Sequence, residues 1–589
     1  MSKILKLIAA AALVALLCCA LAACNGANNP ADGTTTPDGT TSGQGGDNTH
    51  GTTAGDVDYT TKKDFNIVKD GSAVCRVVCP EDATPDETAL ADAIISSVTR
   101  STGVTLEKST TLGRDDEYEI VIGYGIYDKA SEIYDRASYG QWVVTGCGNK
   151  LIVFATDSAS YTSASNQLSR YMGRAEGNSL TLATALMGAD TSTAVSISVP
   201  VLRGTGVPAY IQKVGGVDTQ KKCTQVAFGS VSADVYSQYI ARLESLGYAR
   251  VAENEISKNV FTTLVKDNAM LTVDYLPSSR LMRVISEPAY ENYIGTLTGG
   301  ERKGAVKLMQ IEDTTHEHPS AFVVTLADGR YFLYDTGFDA GSSATAPQLM
   351  EYMRKNNTFT DGKVHIAAIF ISHPHPDHMG GLFHLAKDYS SEIVCEAVMY
   401  NLVSVEMQSV LSTETLNARQ DGINNAAKTL GAAVYCVRAG QKFTLSGTEF
   451  NVLFTPDELG NYKLTGKNDK GESDTNYDMN NASVILTMLE SGQSVTFMGD
   501  CRGGEAAKIK TMYSRGFPGN IMQVAHHGFN VSATLDLYNM ARPSVLLWPI
   551  RSEDAETTRY FVKQLQAASY VKKHFYENQQ VELTLPYTP

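Results

Sequence analysis

Residues 371–381 read ISHPHPDHMGG, and the reading of this stretch decides the rest of the chain. Three histidines and an aspartate fall within the six positions from His373 to His378. Pro374 and Pro376 fix their own φ and bias His373 and His375 toward extended backbone. Residues i and i+2 of an extended segment point to one side, so His373 and His375 can approach a single ion together. Asp377 and His378 follow a turn and can face a second ion. Gly380-Gly381 permits tight turning ahead of a helix that begins near Leu382. Used structurally, each of these rings would need its own polar partner, which favours a metal site over an ordinary polar loop.

Working outward, Val364–Ser372 is mostly apolar, as expected of a strand covered on both faces. Upstream, Ala321–Leu326 and Tyr331–Tyr334 flank Ala327-Asp328-Gly329-Arg330 and predict a hairpin ending in Asp335-Thr336-Gly337. Downstream, Val495–Phe497 leads through Met498 to Gly499-Asp500, and Val524-Ala525 leads into His526-His527-Gly528. Asn480-Asn481-Ala482-Ser483 precedes the apolar run Val484–Leu486.

His-x-His-x-Asp-His after a strand, with Asp-Thr-Gly before it and Gly-Asp and His-His-Gly after it, resembles the metallo-β-lactamase-fold hydrolases. The resemblance covers roughly Lys303–Pro589. The Asn-x-Ser, Gly-Asp and His-His-Gly motifs are most similar to the branch of competence DNA-uptake hydrolase domains and extracellular phosphodiesterases. It implies an α/β fold, an αββα sandwich with two divalent metal ions at the sheet edge: zinc, with manganese or iron as alternatives. His373 and His375 would hold one ion. Asp377 and His378 would hold the other with one histidine of the His526-His527 pair, and Asp500 would bridge both. Asp335 would orient a ligand by hydrogen bonding. Because His526 directly follows the Val524-Ala525 strand end, we take it as the metal ligand and His527 as the residue meeting substrate or giving a proton, with the reverse assignment left open. Asp377 and His527 are then the catalytic candidates. Zinc lowers the pKa of bound water to roughly 7, so the implied reaction is hydrolysis of an ester, amide or phosphodiester by a metal-bound hydroxide.

The chain departs from that pattern in two places. Many family members carry a further histidine between the first motif and the bridging aspartate. Here only His384 lies in that interval, and Asn481 or Ser483 stands in the expected place, which predicts a weaker first site. Asp313–Pro319, DTTHEHP, replaces the glycine-rich turn of the competence branch. His316 and His318 could line the pocket mouth or lie in a solvated loop. Cys501 reads as packing, and His365 and His574 as surface or capping residues.

The N-terminal residues MSKILKLIAAAALVALLCCALAAC place Lys3 and Lys6 before an uncharged apolar run, Leu7–Ala23. Small residues precede Cys24, and Leu21-Ala22-Ala23-Cys24 resembles a lipoprotein lipobox. The expectation is a cleaved signal peptide over 1–23 and a lipid on Cys24, which places the chain outside the cytoplasmic membrane. Asn25–Val57 is nearly all Gly, Thr, Asn, Asp and Ser, so 24–57 reads as a flexible tether. Beyond it we expect a small α/β domain over 58–200, a small α+β domain over 201–300, and the sandwich over 301–589. Thr84-Pro85-Asp86-Glu87 is a helix start, and Leu90, Ile94 and Val98 mark its apolar face.

The 589 residues are 43% hydrophobic with a formal charge of −15, which moves to −17 without Lys3 and Lys6. Such a chain is a poor match for nucleic acid, whose phosphates need Lys and Arg, and nucleic acid is disfavoured as a partner. Seven scattered cysteines after Cys24 form no disulfide framework and no CxxC pair. The reading is a surface-anchored metallohydrolase acting on a cell-envelope or small-molecule substrate, a phosphodiester ahead of a lactone or β-lactam. The competing readings are a non-catalytic envelope-binding lipoprotein and a carbohydrate-binding role for Tyr59–Tyr293.

Overall fold

The computed structural model describes residues 64–589 except 82, 124–126, 128–138, 140, 157, 183–187, 192–198, 201–207, 218–222, 289–293, 298, 340–343, 409, 461–463, 465–477, 530–533 and 557–559. The expected signal peptide, Cys24, the tether and His50 lie outside the described residues. Among the described residues, no helix is long and apolar enough to cross a membrane.

The first unit centres on a six-stranded sheet ordered Lys108–Ser109, Cys75–Val78, Tyr118–Ile122, Lys150–Ala155, Gln141–Cys147 and Gly188–Thr191. Helices Pro85–Thr102 and Ser158–Met172 pack against it. The expected helix start is present as a capping box. Thr84 Oγ1 accepts from the Glu87 amide at 3.2 Å, and the Glu87 carboxylate accepts from the Thr84 amide at 2.7 Å. Such a box satisfies two amides that would otherwise be orphaned.

The second unit is a six-stranded antiparallel sheet with helix Ala233–Ser245 on one face. Side chains alternate across a strand, and here the alternation sorts two environments. Val273, Tyr275, Met282 and Val284 pack toward the helix. Leu276 and Ile285 face the C-terminal unit and share a core with Val403, Met407, Leu453 and Leu459. Asp274, Arg283 and Glu287 reach charged partners in the C-terminal unit.

The C-terminal unit is two sheets packed face to face. One runs Ala433–Cys436, Ala397–Tyr400, Val364–Phe370, Tyr331–Thr336, Ala321–Thr325, Val306–Gln310, Val581–Leu585. The other runs Lys442–Leu445, Thr448–Phe454, Ile485–Glu490, Gln493–Phe497, Ile521–Gln523, Val545–Trp548, Lys573–Tyr576. Aromatic residues fill the space between them. Tyr334 stacks on Phe497 at 4.6 Å, and Phe332 meets Phe450 at 4.5 Å. Removing one such ring typically costs about 3–5 kcal/mol. Helices Ala346–Lys355, Pro376–Tyr389 and Thr413–Leu430 cover the first sheet, and Gly503–Met512 and Leu535–Ala541 cover the second. The expected αββα layering is therefore present.

One local expectation is corrected. Gly380-Gly381 makes no turn before a helix, because the helix already starts at Pro376 and contains both. The glycines serve close packing instead. A Cβ on Gly381 would collide with the Thr336 carbonyl oxygen, and one on Gly380 would lie 2.7 Å from the Asp339 nitrogen.

Candidate metal centre

The strand Val364–Phe370 delivers Ile371 and Ser372 into the core and His373 to its edge. His375 is extended (φ −95°, ψ 149°) and caps the helix that Pro376 opens. Proline suits that first helical position, since its missing amide has no intrahelical partner there. His373 and His375 thus fall on one side, with His373 Nε2 and His375 Nδ1 2.9 Å apart. Asp377 and His378 sit in the first helical turn. Thr336 clamps that turn: its hydroxyl donates to the His378 carbonyl at 3.1 Å and accepts from the Leu382 amide at 2.9 Å.

Asp500 follows the strand Gln493–Phe497. Gly499, at φ +49°, allows the approach, for a Cβ there would meet Ser483 Oγ at 2.9 Å. Ser483 Oγ in turn accepts from the Asp500 amide at 3.0 Å. The Asp500 carboxylate then faces two separate sets of groups. Its Oδ1 lies 3.1 Å from His378 Nε2 and 3.6 Å from His527 Nε2, and Asp377 Oδ2 lies 3.5 Å and 3.3 Å from the same two nitrogens. Its Oδ2 lies 3.8 Å from His373 Nε2 and 3.9 Å from His526 Nε2. Two clusters with metal-ligand spacing result: Asp377, His378, Asp500 and His527, and His373, His375 and Asp500.

The structure places His526 and His527 differently toward the two clusters. The strand ends at Gln523, and both histidines then adopt left-handed backbone, φ +49° and +52°. That conformation costs a non-glycine residue of order 1–2 kcal/mol, so the turn is strained. Inside it, His527 Nδ1 donates to the Pro549 carbonyl at 2.7 Å, which turns Nε2 and its lone pair toward Asp377 and Asp500. His526 Nδ1 donates to the Phe529 carbonyl at 2.8 Å, and its Nε2 meets Asn480 Nδ2 at 3.1 Å. His527 therefore joins the second cluster, and His526 lies beside the first without entering it.

The groups behind the ligands are equally defined. His378 Nδ1 donates to Asp335 Oδ2 at 2.7 Å. Asp335 also accepts from the Ser372 amide and hydroxyl, both at 2.8 Å, and the Ser372 oxygen lies 3.0 Å from His373 Nδ1. Ser372 thus links the two clusters, a role that the sequence marked only through the Asp-Thr-Gly signal for its partner. Arg419, also unmarked in the sequence, donates from Nη1 to the Pro374 carbonyl at 2.7 Å.

The residues fit a divalent ion by their own chemistry. The buried atoms His375 Nε2, His378 Nε2, His527 Nε2 and Asp500 Oδ1 have no aligned hydrogen-bond partner, and the last three converge. Buried polar atoms are normally satisfied, so such a set calls for a ligand. The electrostatics agree. Burial works against a charged His378 and His527, yet the Asp500, Asp335 and Asp377 carboxylates around them outweigh it and raise both. Burial, chiefly, pushes His375 down to about 4 against the pull of Asp377 and Asp500, with the His378 and Arg419 charges adding to it. Three carboxylates concentrated in a dry site demand positive charge.

Of the remaining candidates, His318 comes to the mouth, its ring 5.5 Å from Phe529 and 6.2 Å from His527. His316 turns away to Asp554 at 2.9 Å. Cys501 is fully buried and packs in the core. Asn481 accepts from the Glu505 amide, and so supports the loop. His365 pairs with Asp361, His384 with Asp388, and His574 with the Trp548 indole.

The family description "Beta-lactamase superfamily domain" matches residues 330–515. Residues 330–515 are a β-lactamase superfamily domain. With the ligand clusters above, this domain carries side chains spaced to hold divalent metal. The match ends before His526-His527, which the fold brings back to the β-lactamase superfamily site. The chain is 24% identical over 226 residues to the uncharacterized protein YcaI of Escherichia coli K12, covering 38% of this chain and 23% of YcaI. It thus spans under a quarter of that relative's length. Among solved structures, zinc-bound PqqB from Methylobacterium extorquens aligns at 11% identity and TM-score 0.27, over 45% of this chain and 87% of PqqB. A CmlA β-hydroxylase mutant aligns at 10% identity and TM-score 0.28, over 51% of this chain and 55% of its own.

Proposed function

We propose that this protein is a dinuclear metal-dependent phosphodiesterase, tethered outside the cytoplasmic membrane by a lipid on Cys24. The observation that carries the dinuclear reading is the Asp500 carboxylate, whose two oxygens face different imidazole sets. One ion would be held by Asp377, His378, His527 and Asp500, and the other by His373, His375 and Asp500. Zinc is the first choice on ligand type, with manganese or iron as alternatives. Divalent ions there would supply Lewis acidity and a water acidified to near-neutral pKa.

The chain's own residues do the rest. Asp335 holds the His378 proton on Nδ1, and Pro549 holds that of His527 on Nδ1. Ser483 and Gly499 set the Asp500 backbone. His318 and Phe529 stand together beside His527. The order of motifs supports a phosphodiester over a β-lactam. The overall negative charge supports a short or zwitterionic phosphodiester of the cell envelope over a long polyanion.

The test is elemental analysis of the purified protein, followed by assay on bis(p-nitrophenyl) phosphate and on a chromogenic cephalosporin. Faster turnover of the diester supports the reading. Efficient lactam turnover without diester turnover under any metal overturns it. Anchoring is tested separately: Cys24→Ser should release the protein from membranes.

A further inference from the structure

A guanidinium stands at the rim of the site with no carboxylate to balance it. Arg419 lies on helix Thr413–Leu430, whose Leu416, Gln420, Ile423 and Leu430 are buried. Its flank carries Arg419 toward the segment between His373 and His375, where Nη1 donates to the Pro374 carbonyl at 2.7 Å. The side chain is half-buried, and its electrostatic setting contains burial and nothing to offset it. Its charge is felt by His375. Among the described residues, no carboxylate comes within ion-pair distance of it. Nε and Nη2 make no hydrogen bond there and are not sealed from solvent.

Three other inward-facing arginines differ. Arg438 is fully buried between Glu287 and Asp457, Arg283 between Asp274 and Glu458, and Arg330 is largely buried between Asp328 and Glu396. Each of these three buried guanidiniums is matched by two acids. Arg419 is half-buried without one, bound to the carbonyl between His373 and His375, with its other donors open to solvent. A planar guanidinium with unused donors is suited to the paired oxygens of a phosphate or carboxylate.

We propose that Arg419 is the anion-binding residue of this site, engaging the non-bridging oxygens of a phosphodiester while its Nη1 stays anchored on Pro374. This rests on the phosphodiesterase reading for the identity of the substrate, though not for the presence of an anion subsite. It also gives an acidic protein a local means of holding an anion. The competing role is positioning alone, in which the Pro374 bond merely fixes the His373–His375 backbone.

The experiment uses the metal-loaded full chain and dimethyl phosphate as probe, with binding measured by calorimetry and metal content by elemental analysis. Arg419→Gln should weaken dimethyl phosphate binding roughly tenfold to a hundredfold, the range for losing a hydrogen bond to a charged group, with Arg419→Lys between the two. Metal content should stay at the wild-type level. On bis(p-nitrophenyl) phosphate, KM should rise more than kcat falls. The loss on that diester should exceed the loss on the neutral p-nitrophenyl acetate by about tenfold or more. Wild-type protein that binds no dimethyl phosphate, or equal binding in Arg419→Gln, overturns the proposal. So does a parallel loss of metal and of both esterase activities, which is the signature of positioning alone. Arg419-dependent binding without diester turnover supports the anion subsite and rejects the phosphodiesterase reading.

Discussion

Replacing Asp335 by asparagine tests whether the carboxylate behind His378 governs metal binding. Asp335 is fully buried, and its two oxygens accept three hydrogen bonds, from the Ser372 amide, the Ser372 hydroxyl and His378 Nδ1. A carboxylate accepts on both oxygens, whereas an amide accepts on one side and donates on the other. In one orientation the new nitrogen faces His378 Nδ1. The imidazole must then carry its proton on Nε2, the atom that faces Asp377 and Asp500, and loses the lone pair a cation needs. Loss of an orienting partner of this kind weakens metal affinity about 10–100-fold, or roughly 1.4–2.7 kcal/mol. In the other orientation the nitrogen opposes the Ser372 amide, and a buried donor is stranded at a cost of about 1–3 kcal/mol in stability. One of the two quantities must therefore fall. Titration against a chromogenic chelator measures the first, and urea unfolding of the metal-stripped protein measures the second. Affinity within about threefold of wild type, together with stability within about 0.5 kcal/mol, would refute the reasoning.

Three further outcomes are expected. His527→Ala should lose the ion of the Asp377–His378 cluster while His526→Ala keeps it, read by elemental analysis after dialysis; the opposite ranking would restore His526 as the ligand. Arg438→Met should lower stability by about 3–5 kcal/mol in urea unfolding, because Glu287 and Asp457 are left buried without their cation, and a loss near zero would show that those acids find other partners. Asp274 is pushed up to about 7, chiefly by burial against the pull of Arg283. Its unfolded value is near 3.9, so the folded state holds a proton that the unfolded state releases. The resulting stabilisation is complete below about pH 4 and is lost as pH rises toward 7. Asp274→Asn should therefore flatten the decline in stability between about pH 4 and 7; an unchanged slope would place the titration elsewhere.

What the sequence made legible follows from local backbone rules. Two prolines forced His373 and His375 onto one side, and the structure has them there. Thr84 through Glu87 encoded their own cap. The αββα layers follow from apolar runs long enough to be strands covered on both faces. Where the reading failed, the deciding interaction was distant in sequence. The choice between His526 and His527 depends on a left-handed turn and on Pro549, which lies 22 positions away. Gly380-Gly381 was read as a turn because its packing partner, Thr336, comes from another strand. Ser372 and Arg419 carry no motif of their own and gain their places only through Asp335 and Pro374.

The second unit packs its sheet between a helix and the C-terminal unit. Its sheet presents a helix-covered face and a face with nowhere to go except against the C-terminal unit. That second face carries Asp274, Arg283 and Glu287, residues whose polarity in sequence suggests a solvated surface. In the structure all three are buried. Arg438 reaches across to Glu287 at 2.8 Å and to Asp457 at 2.8 Å, and Arg283 pairs with Asp274 and Glu458. Four carboxylates meet two guanidiniums in one dry region, where burial first and the Asp457 charge next raise Asp274. Breaking such pairs leaves charge uncompensated, so the contact favours one docking geometry over slipped alternatives. The loops held this way include Leu402–Met407, which follows the strand Ala397–Tyr400 beside the one that delivers His373, and the turn Pro456–Leu459. The sheet that carries no chemistry of its own thereby fixes loops next to the strands that do.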